Sequence, residues 1–129
     1  MSDLIGDVLS RLDIKENVFK ILFLEIEYIG EIPLRREDYE QLVRDLNAVQ
    51  TTMGLTKTTR LLRNRWPHVF VTYLSFTAAL NTNLGFWDGV VDDLGITNKS
   101  ALYTEKNHWG KLYLELLDLF GLDTFSDLQ

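Results

Sequence analysis

Apolar residues recur every three to four positions along most of the chain, which is the spacing that places side chains on one face of an α-helix. The clearest example covers residues 37–53, where Leu42, Leu46 and Val49 fall on a single stripe. The same spacing predicts helices at about residues 2–12, 15–29, 57–66, 67–81, 84–94 and 99–120. We therefore predict an all-α fold, a compact bundle of six or seven helices with short connections, in a single domain that covers residues 1–129.

The predicted helix at residues 15–29 has an ambiguous end. Its buried stripe is expected to consist of Val18, Leu22 and Ile26, with Phe19 and Phe23 beside it. Residues 24–28 alternate between apolar and polar side chains, a pattern that also fits a strand. A single isolated strand would have no pairing partner, so we predict that the segment is helical. Gly30 and Pro33 are expected to close it.

One segment is predicted to lie at the centre of the domain. Residues 69–80 contain no charged side chain, which is typical of a helix that is buried on every side. Its expected core residues are Phe70, Leu74 and Leu80. Gly54, Gly95 and Gly121 each follow an apolar residue, and we predict that each of them ends a helix. Glycine readily takes the backbone conformation that terminates a helix.

The composition restricts the class of protein. The absence of cysteine excludes disulfides, thiolate zinc sites, iron–sulfur clusters and cysteine nucleophiles. No run approaches ~18 consecutive apolar residues, the length that a membrane span requires. The first residues, Met1-Ser2-Asp3, lack the cationic and apolar regions of a signal peptide. We therefore expect a soluble cytoplasmic protein that does not enter a membrane.

Few residues are suited to catalysis. The two histidines are His68 and His108, and Glu105 precedes the latter by three residues. Di-iron bundles use that spacing, but they need it twice and require two further glutamates. Neighbouring carboxylates occur at Glu25, Glu27, Asp88, Asp92 and Asp93. Such neighbours do not oppose each other across a cleft as glycosidase carboxylates do. Neither a nucleophile elbow nor a phosphate-binding glycine loop is present. We expect no enzymatic activity, no cofactor and no metal.

Charge is distributed unevenly along the chain, which has 13 bases, 19 acids and a net charge of −6. Residues 1–45 carry 11 acids and 6 bases, and residues 88–129 carry 8 acids and 3 bases. The 42 residues 46–87 contain no acid and four bases, which are Lys57, Arg60, Arg63 and Arg65. Together with Trp66, which we expect to be exposed, these four are the candidate partner-binding residues.

The cationic segment has three interpretations. In the first, its arginines pair with acidic helices of the same domain. In the second, they bind a protein partner, and this partner can be a second copy of the chain that presents its acidic faces. Alternatively, residues 46–66 form a helix-turn-helix-like DNA-binding unit whose DNA-facing residues are Thr56, Lys57, Thr58 and Arg60. The 19 carboxylates also allow an acidic inhibitor that imitates nucleic acid. We expect a non-catalytic interaction protein of bacterial or phage type, or a helical module of a larger assembly, with nucleic acid as the less favoured partner.

Overall fold

A computed structural model of the protein describes residues 4–80, 86–96 and 99–122, with all side chains in these ranges except those of residues 4, 29, 80, 86–88 and 99–108. The described residues form six α-helices: α1 (Leu4–Phe23), α2 (Arg36–Met53), α3 (Leu55–Asn64), α4 (Pro67–Leu80), α5 (Phe86–Leu94) and α6 (Lys99–Phe120). A single 3₁₀ turn, Ile29–Glu31, separates α1 from α2 in these ranges. No strand occurs in the described part of the chain, and the predicted all-α fold is confirmed.

Helix α4 is the centre of the structure and contacts each of the other five helices. Its fully or almost fully buried apolar residues are Val69, Phe70, Val71, Tyr73 and Leu74. The ring of Phe70 packs edge-on against Trp109 of α6, with 5.5 Å between ring centres. The chargeless segment is therefore the buried central helix, as predicted. Of the expected core residues, the side chain of Leu80 lies outside the described residues.

Helix α1 is a single helix that ends earlier than the sequence predicts. It joins the two segments predicted at residues 2–12 and 15–29, and it ends at Phe23, well before Gly30. After Phe23 the chain turns, and the backbone N–H groups of Glu27 and Tyr28 both donate to the Glu31 carboxylate, at 2.8 and 3.1 Å. These bonds stabilise a loop where the alternating pattern allowed a helix or a strand. The predicted extension to residue 29 is therefore wrong.

The face that α1 turns towards the core also differs from the prediction. Its buried apolar residues are Val8, Leu12, Phe19 and Phe23. Val18, placed in the buried stripe by the sequence analysis, is 42% exposed. The two phenylalanine rings bury more apolar surface than Val18, so the helix presents their face to the core.

The three glycines mark helix ends as predicted. Gly95 and Gly121 have φ angles of 67° and 70°, and at both ends the N–H of the following residue donates to the carbonyl five residues earlier, at 3.0 Å. Gly54 has a φ of 89° and is the one residue between α2 and α3. A residue with a β-carbon would be strained there, so Gly54 allows α3 to begin directly after α2.

The remaining bounds agree closely with the sequence prediction. Helix α3 begins and ends two residues earlier than predicted, and α6 continues without a break through Gly110. The buried apolar residues in the described ranges form one cluster that draws on all six helices. None of the helices, as far as their residues are described, combines the length and apolar character needed to cross a membrane.

Candidate interaction surface

Helix α3 is oriented by small polar side chains on its inner face. Thr58 and Thr59 are buried, and their hydroxyls donate to backbone carbonyls four residues earlier, at 2.7 and 2.9 Å. The indole Nε1 of Trp109 donates to the Thr59 hydroxyl at 2.9 Å, which ties α3 to α6. Leu62 continues this face into the core. The opposite face of α3, with its basic residues, is therefore turned outward.

Three bases of this outer face form what we call the cationic α3 surface: Lys57, Arg60 and Arg63. All three are exposed. Among the described residues, none of them has a carboxylate within ion-pair distance. They lie within about two turns of helix, a length of about 9 Å. The structure thus brings together three of the five residues that the sequence singled out.

Arg65 belongs to a joint between α1 and the end of α3 instead. Its Nε and Nη2 atoms donate to the two carboxylate oxygens of Asp13, at 2.9 and 2.7 Å. The hydrogen bond from Arg65 lowers the pKa of Asp13 below its ordinary value. This arginine is therefore paired within the domain, as one of the three sequence interpretations expected.

The prediction that Trp66 is exposed is wrong. Its side chain is 0% exposed, and its Nε1 donates to Asp13 at 2.7 Å. The Arg65 guanidinium covers the indole ring, 5.3 Å from its centre. Trp66 follows Leu62 by four residues and so continues the inner face of α3, a spacing that was available in the sequence. A partner cannot contact this indole without disrupting the joint.

A buried carboxylate that the sequence analysis did not identify caps the central helix. Glu16 of α1 accepts hydrogen bonds from the backbone N–H groups of His68 and Val69 in the first turn of α4, both at 2.9 Å. It also lies 2.6 Å from Nδ1 of His68, which must donate because a carboxylate only accepts. The His68 ring stacks on Phe120 with 4.1 Å between ring centres. These contacts hold α1, α4 and α6 together.

A second buried acid joins α1 to α2. Asp45 is 1% exposed and accepts hydrogen bonds from Arg11 Nη2 at 2.8 Å and from Gln41 Nε2 at 3.0 Å. Because the guanidinium of Arg11 is partly exposed, the pair extends from the core to the surface. Its role is structural, since the carboxylate is occupied by donors of its own domain.

A third polar cluster joins α2, α4 and α5 through two tyrosines. The hydroxyls of Tyr39 and Tyr73 both donate to one oxygen of Asp93, each at 3.0 Å, and Tyr39 also bonds Thr77 at 2.9 Å. Burial, reinforced by the Asp93 charge, raises the pKa of Tyr39 to about 12. The same causes raise the pKa of Tyr73 well above its ordinary value. Neither phenol is therefore poised to act as a base near neutral pH.

The described acids do not assemble into a metal-binding cluster. No group of three or more His, Cys, Asp or Glu residues within metal-binding reach occurs in the described part of the chain. Asp92 is exposed, and so are Glu25 and Glu27 in the loop after α1. The side chains of Asp88, Glu105 and His108 lie outside the described residues.

No protein-family model matches the chain, and the searches of curated proteins and of solved structures also gave no match.

Proposed function

We propose that the protein is a non-catalytic interaction domain whose cationic α3 surface binds an acidic segment of a protein partner. One observation carries the proposal. Five of the seven arginines have a hydrogen-bond or ion-pair partner in the described structure: Arg11, Arg35, Arg36, Arg44 and Arg65. Arg60 and Arg63 are the two without one among the described residues, and they lie on the same helix face.

The chemistry of this surface favours carboxylates as ligands. Guanidinium groups present a planar fork of donors that matches a carboxylate, and Lys57 adds a third charge at the start of the same face. On a protein with a net charge of −6, a local positive surface also orients an acidic partner during approach. Asp13, a described acid close to the end of α3, is engaged by Arg65 and Trp66 and does not pair with the cationic α3 surface.

DNA binding and nucleic-acid mimicry, the two alternative functions that the sequence allows, are less well supported. A DNA-binding unit would need Thr58 to face DNA beside Lys57 and Arg60, but Thr58 is buried and its hydroxyl donates to the Gly54 carbonyl. An acidic nucleic-acid mimic needs its carboxylates on the surface, whereas Asp45 and Glu16 are buried and bonded within the fold.

A cytoplasmic location is part of the proposal and rests on the lack of cysteine, because secreted domains of small size commonly depend on disulfides.

The test compares three forms of the protein as baits in extracts of its native cell, with mass identification of the proteins that copurify. The forms are the wild type, the double reversal Arg60→Glu/Arg63→Glu, and the matched reversal Arg44→Glu/Lys111→Glu, which makes the same change of charge on α2 and α6. We expect a protein that copurifies with the wild type and the matched control and is lost with the α3 reversal. Circular dichroism should show that all three forms are equally helical.

Nucleic acid is tested on the same proteins with labelled duplex DNA. If α3 bound phosphates, affinity would fall by about 2.7 log units per log unit of salt for three contacts. We expect no sequence-selective DNA binding at physiological salt. Sub-micromolar, sequence-selective binding that the α3 reversal abolishes would contradict the proposal and favour the DNA-binding interpretation. Identical copurifying proteins for all three baits would contradict it as well.

A further inference from the structure

Helix α1 carries large aliphatic side chains on two opposite faces. One face enters the core through residues such as Leu12 and Phe19. On the other face, Ile14, Val18 and Ile21 are 61%, 42% and 61% exposed. At 100° per residue, Ile14 and Ile21 point almost directly away from the core. Leu24, 85% exposed in the turn after the helix, completes what we call the α1 stripe: Ile14, Val18, Ile21 and Leu24.

The α1 stripe has the spacing of a helix-pairing seam. Single exposed apolar residues are normal on a protein surface, but consecutive ones aligned on a helix mark a contact site. The intervals of four and three residues between Ile14, Val18 and Ile21 are those of the seam along which two helices pack. Glu16 is buried and bonded to α4, and Asp13 is bonded to Arg65, so neither acid of this stretch is left unpaired beside the stripe.

We propose that the α1 stripe binds the same stripe of a second copy of this chain, with the two helices antiparallel about a twofold axis beside Val18. Ile14 and Ile21 lie at equal distances on either side of the midpoint between residues 17 and 18. The twofold axis therefore places Ile14 of each copy opposite Ile21 of the other. A twofold interface must be self-complementary, and identical side chains at symmetric positions satisfy that condition.

The charges at the two ends of the stripe favour this orientation. Arg11 lies just before the stripe and remains partly exposed although it is bonded to Asp45. Glu25 lies just after Leu24 and is exposed. In the antiparallel pair, Arg11 of each copy faces the turn that carries Glu25 of the other. A parallel pair would place each of these charges beside its own like charge, which is unfavourable.

The expected dimer is weak. The helical part of the stripe, from Ile14 to Ile21, covers about 10 Å, which is short compared with interfaces that bury about 800 Å² on each partner. We expect a dissociation constant on the order of tens of micromolar. The inference does not depend on the proposed function, because α1 stripe variants leave the cationic α3 surface intact.

Sedimentation equilibrium from a few to several hundred micromolar protein tests the association. The wild type should move from the monomer mass of 15.0 kDa towards twice that value. Ile14→Ser/Ile21→Ser should remain monomeric throughout the range. The matched control is Leu114→Ser, which removes a leucine that is 63% exposed on α6 and should dimerise like the wild type. Circular dichroism confirms that each variant is folded.

Cysteine cross-linking tests the orientation, since the chain has no cysteine of its own. Under mild oxidation, a mixture of Ile14→Cys and Ile21→Cys proteins should form the mixed disulfide at least several-fold faster than either protein alone. Val18→Cys should cross-link with itself. Faster self-cross-linking of Ile14→Cys would show a parallel pair and overturn the proposed geometry.

Two results would overturn the proposed association itself. One is a wild type that stays at monomer mass over the whole concentration range. The other is equal dimerisation of the Ile14→Ser/Ile21→Ser protein, which would place the contact elsewhere. Binding of the monomer to phosphatidylcholine–phosphatidylserine vesicles, lost in the same variant, would assign the stripe to a lipid surface and contradict pairing with a second copy.

Discussion

Replacing Glu16 with alanine should destabilise the protein strongly, although this residue lies far from α4 in the sequence. Its carboxylate accepts hydrogen bonds from the N–H groups of His68 and Val69 and from the His68 ring. Removal of a helix N-cap costs about 0.5–2 kcal/mol, and a partly buried negative charge at a helix N-terminus contributes up to about 2 kcal/mol. Leaving the buried Val69 N–H without an acceptor costs about 1–3 kcal/mol.

These contributions overlap, so we expect Glu16→Ala to lower the free energy of unfolding by about 2–4 kcal/mol. Urea unfolding at pH 7 measures this as a lower midpoint with an unchanged slope. Glu16→Gln keeps one acceptor oxygen and should lose about half as much. Asn17→Ala, a change at the exposed neighbouring residue, is the control. A loss below about 0.5 kcal/mol for Glu16→Ala, the size of an ordinary surface change, would refute the reasoning.

Three further predictions concern the core and the polar clusters. Leu74→Ala in the central helix should cost about 2–5 kcal/mol in urea unfolding, and a loss typical of an exposed site would contradict its burial. Because Arg65 lowers the pKa of Asp13, the Arg65–Asp13 pair stabilises the folded protein above about pH 4. This stabilisation is lost as pH falls through the folded-state pKa of Asp13. The difference in unfolding free energy between the wild type and Asp13→Asn should therefore shrink in acid, and a constant difference would argue against the pair. Because the pKa of Tyr39 is raised to about 12, stability should fall as pH rises from about 10, and Tyr39→Phe should weaken that dependence.

The parts of the fold that the sequence predicts well are those with one unambiguous apolar face. In α2 the residues Leu42, Leu46 and Val49 form a single stripe, and all three are buried. In α4 the lack of charge leaves burial as the sole consistent interpretation. The pattern in α1 allows two stripes, because apolar residues occur on opposite faces, and periodicity alone does not determine which one enters the core. Val18 was consequently assigned to the wrong face.

The candidate surface was predicted in part. Lys57, Arg60 and Arg63 lie together and exposed, as the absence of acids around them indicated. The pairing of Arg65 and Trp66 with Asp13 joins residues more than fifty positions apart. Such contacts depend on how α1 packs against α3 and α4, which helical periodicity within one segment does not report. The cap that Glu16 provides for α4 was missed for the same reason.

The central claim is that the cationic α3 surface binds a protein partner through its charges. The most direct test is the dissociation constant of the purified complex, measured by calorimetry for the wild type, Arg60→Glu/Arg63→Glu and Arg44→Glu/Lys111→Glu. We expect the α3 reversal to weaken binding by about 100-fold or more, equivalent to about 2.7 kcal/mol, and the matched control to stay within about threefold of the wild type. The unfolding free energy of the α3 reversal should change by less than about 1 kcal/mol, since its arginines are exposed. Equal weakening by both reversals, or no weakening by either, would contradict the claim.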